Sequence, residues 1–445
     1  MTGSGDPSKD PILLARSPVL RHNLGTAATI DSHYPNHSPA LNPGKPFSRD
    51  LSYRNPLNHR LPLNHAHDLF HTNNTTMTKS RPTPPNPLGI ATLSLGSAAH
   101  HPLEARLHAA AAAGYTHIDL FDDDWARYLS AHHSRALPPP RTPWTSTPET
   151  LRIAAQLGSL AASLSLKIAC TQPCREIEGI VDPTARRAAL DSVAARFPFM
   201  RAFGTDLVFL CANIRTDEGV TADLEVVATD LAELGDMARA YAEADGGPML
   251  RIGYEGLSWA RRNTWASSWE AVQAADRDNV GLVVDAFNVL AVEWADPYAA
   301  DGSGRVHGDL EVARRGLRES MRSLVRSVPA EKIFFFQVGD AVRVGLEEVR
   351  GWDVQGDTPR LLPWSRGYRL FPGEKERGAY LPVEVVAAAV LETGYEGPVS
   401  LEVFNHSLSE KDASVPRVHA ERGMKGLRWL LEEVAKVPAL GDATQ

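Results

Sequence analysis

The sequence has little that would tie it to a secreted, membrane-bound or disulfide-rich class. Only three of its 445 residues are cysteines, namely Cys170, Cys174 and Cys211. So few cysteines, odd in number, exclude a disulfide framework and predict reduced thiols. No apolar run approaches the length that spans a bilayer, and the N-terminus lacks the basic and then apolar pattern of a secretory signal. We therefore expect a soluble, cytoplasmic protein.

Positive charge is also scarce. The chain has 46 Lys and Arg residues against 54 Asp and Glu residues, a formal net charge of −8. Nucleic-acid binding needs a clustered positive surface to neutralise phosphates, and no Lys/Arg-dense stretch is evident. Neither a GxGxxG motif after a strand nor a GxxxxGK[ST] motif is present. The composition thus argues against a nucleic-acid partner, and we expect no organic cofactor.

Three segments differ in composition. Residues 1–85 are rich in Pro, Asn, His and Ser and lack any helical or strand period, which predicts a disordered extension. Met77, within it, offers a second start of translation. Residues 86–437 alternate short apolar runs with longer amphipathic stretches, a pattern typical of a parallel sheet with helical crossovers. Residues 438–445 are predicted to form a short disordered tail.

Eight apolar runs are the candidate strands of the central segment. They span residues 89–95, 116–121, 166–171, 207–211, 250–254, 281–285, 333–337 and 399–403. Helical patterns cover 103–113, 148–165, 224–244, 265–275, 312–328, 382–391 and 423–437. Eight such units predict an α/β protein with a (β/α)8 TIM barrel. The largest insertion, residues 338–381, precedes the last strand, and loops on that face usually shape the substrate pocket.

Four polar residues stand at the ends of successive candidate strands. They are Glu255, Asp285, Gln337 and Glu402. Charged groups at the ends of buried strands are unfavourable unless they are paired or bind a cation, and barrel active sites lie at the carboxyl ends of strands. Three carboxylates and an amide oxygen suit Mg²⁺, Mn²⁺ or Co²⁺ better than a zinc ion held by sulfur or imidazole. The alternative interpretation is that each residue merely caps its strand or pairs with an arginine.

Seven stretches resemble the fungal-type 3-dehydroshikimate dehydratases of the xylose isomerase-like barrel superfamily. They are TQPCREIEG (171–179), GTDLVFLCANI (204–214), YEGLSWA (254–260), VVDAFNV (283–289), FFFQVGDA (334–341), WSRGYRLFPGEKERGAYLP (364–382) and GYEGPVSLEVFNHSL (394–408). The resemblance covers residues from about 88 to 437, and the WSRGYRLFP stretch is its most specific part. It implies a hydro-lyase that converts 3-dehydroshikimate into protocatechuate (3,4-dihydroxybenzoate) and water during quinate and shikimate catabolism.

The resemblance also implies roles for individual residues. Glu255, Asp285, Gln337 and Glu402 match the metal ligands of the family. Arg175, in the loop after the third strand, and Ser365 and Arg369, in the long loop, match residues that hold the substrate. In this interpretation Arg175 and Arg369 anchor the substrate's carboxylate, with Arg369 on the side of the pocket away from the ion. The alternatives are that Arg175 pairs with Glu176 or Glu178 and that Arg369 is an ordinary loop arginine.

The catalytic set implied by the resemblance is Glu255, Glu402 and Asn288. Some dehydratases carry a histidine three positions after the metal-binding aspartate, where this chain has Asn288. An asparagine cannot serve as a base near neutral pH. The base is then a ligand carboxylate such as Glu402, a hydroxide bound to the ion, or His406.

Three other functions fit parts of the pattern. A sugar phosphate isomerase or epimerase acting on an α-hydroxyketone would use the same barrel and the same ligands, but it would not need arginines that bind a carboxylate. An endonuclease of this superfamily would require additional histidines for a multinuclear zinc site. A barrel without activity, acting as a binding protein, is favoured only by Asn288.

Overall fold

The computed structural model describes residues 86–352, 354 and 358–441. The predicted extension at 1–85 and residues 442–445 of the predicted tail lie outside the described residues. Within the predicted tail, Leu440 is buried and its backbone N–H donates to the Glu392 carboxylate at 2.8 Å. The packed part of the chain thus extends beyond the predicted boundary at residue 437.

Strands and helices alternate through the described residues. The strands are β1 Leu88–Ala91, β2 His117–Phe121, β3 Lys167–Cys174, β4 Leu207–Cys211, β5 Arg251–Glu255, β6 Val280–Asp285, β7 Ile333–Val338, β8 Asp340–Ala341, β9 Arg369–Leu370 and β10 Val399–Leu401. The helices are α1 Leu103–Ala113, α2 Asp122–His132, α3 Pro148–Ser163, α4 Pro183–Ala194, α5 Phe197–Phe203, α6 Leu224–Asp245, α7 Trp265–Ala275, α8 Ala286–Glu293, α9 Leu310–Ser327, α10 Leu346–Arg350, α11 Leu362–Gly367, α12 Val383–Glu392 and α13 Val415–Val434.

Eight parallel strands close into a barrel. Their order around it is β1, β10, β7, β6, β5, β4, β3 and β2. Each of the eight predicted strands corresponds to one of them, and the prediction of a (β/α)8 barrel is confirmed. β1 is shorter than predicted because the chain turns into a 3-10 helix at Thr92–Leu95.

Local sequence signals explain the helices that surround the barrel. α3 begins with a capping box, in which Thr147 and Thr150 exchange hydrogen bonds, and with Pro148 in its first turn. α1 ends at Gly114, which adopts a left-handed conformation with φ of 94°. The buried faces of these helices pack on the outside of the barrel and form the main hydrophobic core.

The long insertion after β7 folds back over the barrel. β8 and β9 pair in antiparallel fashion, with Ala341 opposite Arg369. The Arg369 backbone N–H donates to the Phe404 carbonyl at 3.0 Å, and Trp364, buried in α11, donates from Nε1 to the Val342 carbonyl at 2.9 Å. These contacts fix the loop against the carboxyl end of the barrel.

Three expectations from composition can be compared with the structure. All three cysteines are free, as predicted, and they are buried. No helix among the described residues is both long and apolar enough to cross a membrane. The expectation of no arginine-dense stretch is wrong for α9, which carries Arg314, Arg315, Arg318, Arg322 and Arg326. Glu311 and Glu319 pair with three of these arginines.

Candidate active site at the barrel mouth

The four predicted metal ligands meet at the carboxyl end of the barrel. Glu255 and Asp285 end β5 and β6, Gln337 lies beside Asp285 on β7, and Glu402 follows β10. All four are buried. One carboxylate oxygen from each of Glu255, Asp285 and Glu402 lies within 4.8 Å of the other two. The Gln337 Nε2 atom donates to Glu402 Oε1 at 3.1 Å.

Asn288 holds two of these carboxylates in place. Its Nδ2 atom donates to Glu255 Oε1 at 3.0 Å and to Asp285 Oδ2 at 2.8 Å. Its Oδ1 atom accepts from the Ser258 N–H at 3.1 Å, so the orientation of the amide is defined. Asp285 also caps α8, since its Oδ1 accepts from the Phe287 N–H at 2.9 Å. The strand therefore passes directly into a helix at the site, and Asn288 lies one turn beyond the ligand.

Arg369 lies beside the carboxylates, not across the pocket from them. Its Nη1 atom donates to Asp285 Oδ2 at 3.0 Å and to Glu402 Oε2 at 3.2 Å. Its guanidinium also stacks on the Phe287 ring, with Cζ 3.9 Å from the ring centroid. The placement of Arg369 predicted from the sequence is thus wrong, because the pairing of β8 with β9 carries its side chain down into the cluster.

Burial and crowding shift the titration of the carboxylates. Burial, followed by repulsion from Glu402 and Asp285, raises the pKa of Glu255 well above its ordinary value. Burial also raises the pKa of Asp285 to about 6, against the opposing effect of Arg369. A cluster that resists full ionisation in this way is one in which a cation would be stabilising.

The remaining predicted residues are spread around the mouth. Ser365 is buried, and its hydroxyl accepts from Arg369 Nη2 at 3.3 Å, so it supports Arg369. Arg175 is half-buried with its Cζ 5.5 Å from the centroid of the Phe121 ring. His406 is exposed and its ring packs edge-on against Tyr368, with 5.3 Å between the ring centroids. Among the described residues, no hydrogen bond joins His406 to the carboxylates.

Arg175 does not form the ion pairs that the alternative interpretation required. Glu178 is buried and accepts from the Asn213 N–H at 2.5 Å and from the Tyr254 hydroxyl at 3.0 Å. Glu176 is exposed and forms no ion pair within the described part of the chain. The Arg175 guanidinium is therefore available to a ligand at the mouth.

The alternative interpretation, that the four strand-end residues only cap strands or pair with an arginine, holds in part. Asp285 caps a helix, and both Asp285 and Glu402 pair with Arg369. One guanidinium cannot neutralise three carboxylates, however, and the buried Gln337 Oε1 atom has no hydrogen-bond partner. A buried acceptor without a partner is unfavourable, so capping and pairing leave the group incompletely satisfied.

Sequence reasoning missed several neighbours of the site. Cys211 ends β4, and its thiol donates to Glu255 Oε2 at 3.2 Å. Arg366 is exposed in α11, and its Cζ lies 4.1 Å from the centroid of the Phe404 ring. Arg366 belongs to the WSRGYRLFP stretch, so the motif contained the signal, but it did not show which arginine faces the open mouth. A cavity of about 420 Å³ is lined in part by Ser258, whose backbone N–H donates to Asn288.

Comparison with known proteins agrees with this architecture. Residues 107–432 match the family described as "Xylose isomerase-like TIM barrel". The chain belongs to this family.

Its relatives include the 3-dehydroshikimate dehydratase of Neurospora crassa, which is 33% identical over 361 residues, covering 80% of this chain and 96% of that protein. The 3-dehydroshikimate dehydratase of Pseudomonas aeruginosa is 31% identical over 77% of this chain but only 42% of its own length. The chain therefore spans less than half of the bacterial relative and nearly all of the fungal one. The resemblance to the fungal-type dehydratases is confirmed, and the chain is an enzyme of this group.

Solved structures show the same fold. A fusion protein of a xylose isomerase-like TIM barrel and 4-hydroxyphenylpyruvate dioxygenase is 28% identical, with a TM-score of 0.55, over 78% of this chain and 43% of that one. The IOLI protein, whose structure holds a zinc atom, is 17% identical, with a TM-score of 0.51, over 79% of this chain and 98% of that one. At that identity the second likeness concerns the fold alone.

Proposed function

We propose that this chain is a metal-dependent dehydratase that converts 3-dehydroshikimate into 3,4-dihydroxybenzoate and water. The observation that carries the proposal is the buried carboxylate cluster, in a chain that aligns with 96% of the length of the Neurospora crassa relative. The reaction would place the enzyme in the degradation of quinate and shikimate.

The residues at the mouth fit a divalent cation. Three carboxylates face one guanidinium, and the Gln337 Oε1 atom is buried without a partner. These oxygens are the hard ligands that Mg²⁺, Mn²⁺ or Co²⁺ accept. We assign Glu255, Asp285, Gln337 and Glu402 as the ligands. The bound ion would supply stabilisation of the negative charge that develops on the substrate's oxygen atoms when a carbon-bound proton is removed.

Proton removal falls to a carboxylate of the cluster. Asn288 cannot accept a proton near neutral pH, and its amide is occupied with positioning Glu255 and Asp285. Of the two carboxylates that share Arg369, the Glu402 side chain is 6% exposed and the Asp285 side chain is fully buried. Glu402 therefore presents the more accessible oxygen, and we assign it as the proton acceptor.

Neighbouring residues orient Glu402 or lie where they can contact the substrate. Gln337 and Arg369 fix the Glu402 carboxylate by hydrogen bonds at 3.1 and 3.2 Å. The folded long loop carries Arg366 at the mouth, and the loop after β3 carries Arg175. Loss of the β-hydroxyl and of a further proton makes the substrate's ring aromatic, which renders the overall reaction effectively irreversible.

The direct test is an assay with the purified protein and 3-dehydroshikimate. Ultraviolet absorbance should report 3,4-dihydroxybenzoate, which should disappear with chelator and return with Mg²⁺, Mn²⁺ or Co²⁺. Glu255→Gln should abolish product formation, while Glu410→Gln, at an exposed acid beyond the mouth, should behave as wild type. Interconversion of ketoses without any aromatic product would instead favour an isomerase or epimerase.

A further inference from the structure

A second cavity lies outside the barrel, where α9, the long insertion and the start of α12 meet. Its volume is about 1080 Å³, and its described lining shares no residue with the site at the mouth. Seven of the lining side chains are basic and two are acidic. Four of the basic ones come from α9, Arg305 precedes this helix, and Arg343 and Lys375 belong to the insertion. Positive charge is thus concentrated here, although the whole chain has a formal net charge of −8.

Most of these cations lack an acidic partner. Arg315, Arg318 and Arg322 follow one another at intervals of three and four residues, which brings them to one face of α9, where like charges repel. Of the seven basic side chains, only Arg314 and Arg322 form ion pairs within the described residues. One of the two acids already pairs with Arg314. The other, Glu384, is half-buried, and burial raises its pKa, which disfavours the charged form.

A second wall of the cavity is held in place by backbone contacts. The Arg343 N–H donates to the Gly378 carbonyl at 3.1 Å. The Tyr380 hydroxyl donates to the Gly304 carbonyl at 2.9 Å, which ties the insertion to the segment before α9. A Cβ at Gly304 would lie 3.0 Å from Arg343 Cγ, so the stem of this arginine packs on the glycine. These contacts position Arg343 while its charge stays without an acidic partner among the described residues.

Two buried donors of the lining also lack a hydrogen-bond partner among the described residues. They are Trp294 Nε1 and Arg322 Nε. The Trp294 side chain is only 6% exposed. A buried donor without a partner is unfavourable, and it adds a need for acceptor atoms to the excess of positive charge. A ligand rich in anionic oxygens supplies both.

We propose that this cavity binds a small molecule that carries two or more phosphate groups. Five cations without acidic partners exceed the need of a single carboxylate or phosphate, and guanidinium groups match phosphate oxygens through paired donors. The volume is at the upper end of the range for small-molecule pockets, about 300–1,000 Å³. Residues 1–85 contain nine Lys and Arg residues against five Asp, so the charge of that segment does not complement the cavity. The site is independent of the reaction proposed at the mouth.

The shared chemistry is a polyphosphate chain, which nucleotides and inorganic polyphosphates both carry. The full-length chain is titrated calorimetrically with sodium tripolyphosphate, ATP and orthophosphate, with Mg²⁺ in the same excess in cell and syringe. Tripolyphosphate should bind at least about tenfold more tightly than orthophosphate, the effect of one further charge-assisted contact. Tighter binding of ATP than of tripolyphosphate would identify a nucleotide as the ligand, and equal or weaker binding would identify the inorganic chain. Absence of binding by both would overturn the proposal.

Substitutions on each wall locate the binding. Arg318→Ala, from α9, and Arg343→Ala, from the insertion, should each weaken tripolyphosphate by about tenfold or more. Arg318→Lys keeps the charge without the fork and should recover only part of the affinity. The matched controls are Arg326→Ala in α9 and Arg377→Ala in the insertion, at exposed arginines that pair with neighbouring acids outside the lining. Both controls should bind like wild type.

Three results would contradict the site. Equal weakening in Arg318→Ala and Arg326→Ala would indicate general attraction to a basic helix. Unchanged affinity in both Arg318→Ala and Arg343→Ala would place any binding elsewhere. Tighter binding of hexaglutamate than of tripolyphosphate would assign the cavity to acidic peptides. Because the substituted arginines are exposed, we expect the variants to fold, which circular dichroism would verify before titration.

Discussion

Two sets of buried residues, two positions apart along neighbouring strands of the barrel, differ in chemistry, and we call them the lower and the upper layer. The lower layer consists of Phe209, Gly253, Val283, Phe335 and Ser400, and the upper layer of Cys211, Glu255, Asp285, Gln337 and Glu402. Each upper residue follows a lower one by two positions along the chain, the spacing at which side chains of a strand return to the same face.

The lower layer is filled and neutral. The Phe209 and Phe335 rings pack with 5.9 Å between their centroids, and a Cβ at Gly253 would approach Val283 Cγ2 to 2.6 Å. The Ser400 hydroxyl donates to the Asp119 carboxylate at 2.8 Å, and burial raises the pKa of Asp119 to about 8, so this acid is mostly protonated at neutral pH. The lower layer therefore stabilises the fold.

The upper layer is charged and incompletely satisfied. Arg369 pairs with only two of its three carboxylates, Asp285 and Glu402, and the Gln337 Oε1 atom has no partner. Such an arrangement reduces stability in the absence of a bound cation. The contrast indicates that the same strands carry both kinds of residue. The lower layer packs the barrel interior, and the upper layer supplies the polar groups of the candidate site.

The largest effect should come from removing the arginine of the upper layer. Arg369 and its partners Asp285 and Glu402 are almost fully buried. Removal of one member of a buried ion pair costs about 3–5 kcal/mol, so Arg369→Ala should be less stable by this amount in chelator. Added Mn²⁺ should recover much of the loss, since it replaces the missing positive charge. Chemical denaturation with and without metal measures both quantities.

A matched control lies at the opposite end of the barrel. Arg251 pairs with Asp206 at 2.9 Å, and their side chains are 35% and 36% exposed. Exposed pairs contribute about 0–1 kcal/mol, so Arg251→Ala should be mildly destabilised, with no dependence on metal. Equal losses in the two variants would mean that the upper layer is no more strained than the surface.

A smaller effect is expected from single substitutions at Glu402, in the upper layer, and at Ser400, in the lower layer. Loss of a residue that only supports a metal ligand costs about 10–100-fold in activity. Because Glu402 is itself a proposed ligand, Glu402→Gln should lower kcat/KM by at least about a hundredfold. Its stability in chelator should equal or exceed wild type, because one of three like charges is gone. Ser400→Ala, two residues earlier, should lose about 1 kcal/mol of stability and keep kcat/KM close to wild type. The reverse pattern would contradict the division into layers.

The smallest effect concerns His419, in α13 just outside the mouth. Its Nδ1–H donates to the Val415 carbonyl at 2.9 Å, and its Nε2 accepts from the Ser407 hydroxyl at 2.9 Å. Burial lowers the pKa of His419 to about 4, whereas an unfolded histidine titrates near 6.5. Between these values the unfolded chain binds more protons, so stability should fall as the pH drops from about 6.5 towards 4.

The size of that effect is bounded. One group contributes at most about 1.4 kcal/mol per pH unit. His419→Gln should lose this part of the pH dependence of the melting temperature, while the same change at the exposed His108 should retain it. An identical pH dependence in wild type and His419→Gln would show that the histidine is not held neutral.

The barrel could be predicted because its strands are short apolar runs bounded by clear turn signals. The helices α2 and α8 were missed because each follows its strand without a loop. In α8 the sequence AFNVLAVE is apolar on nearly all sides and extends the apolar run of β6. Asp285 both ends the strand and caps the helix, and periodicity alone cannot locate such a boundary.

The strand-end residues of the candidate site could be predicted, whereas the positions of its loop residues could not. Strand-end position located Glu255, Asp285, Gln337 and Glu402, because carboxyl ends of parallel strands share one face of the barrel. The placement of Arg369 and the exposure of Arg366 depend on how the long loop folds back through the pairing of β8 with β9. That pairing is two residues long and leaves no periodic signal in the sequence.

We propose above that the upper layer holds a divalent cation. Calorimetric titration of Mn²⁺ into chelator-treated protein tests it most directly, with wild type compared with Asp285→Asn. Wild type should bind one ion per chain, and Asp285→Asn should bind at least about tenfold more weakly while remaining folded. Absence of binding by wild type, or equal binding by the two proteins, would contradict the claim.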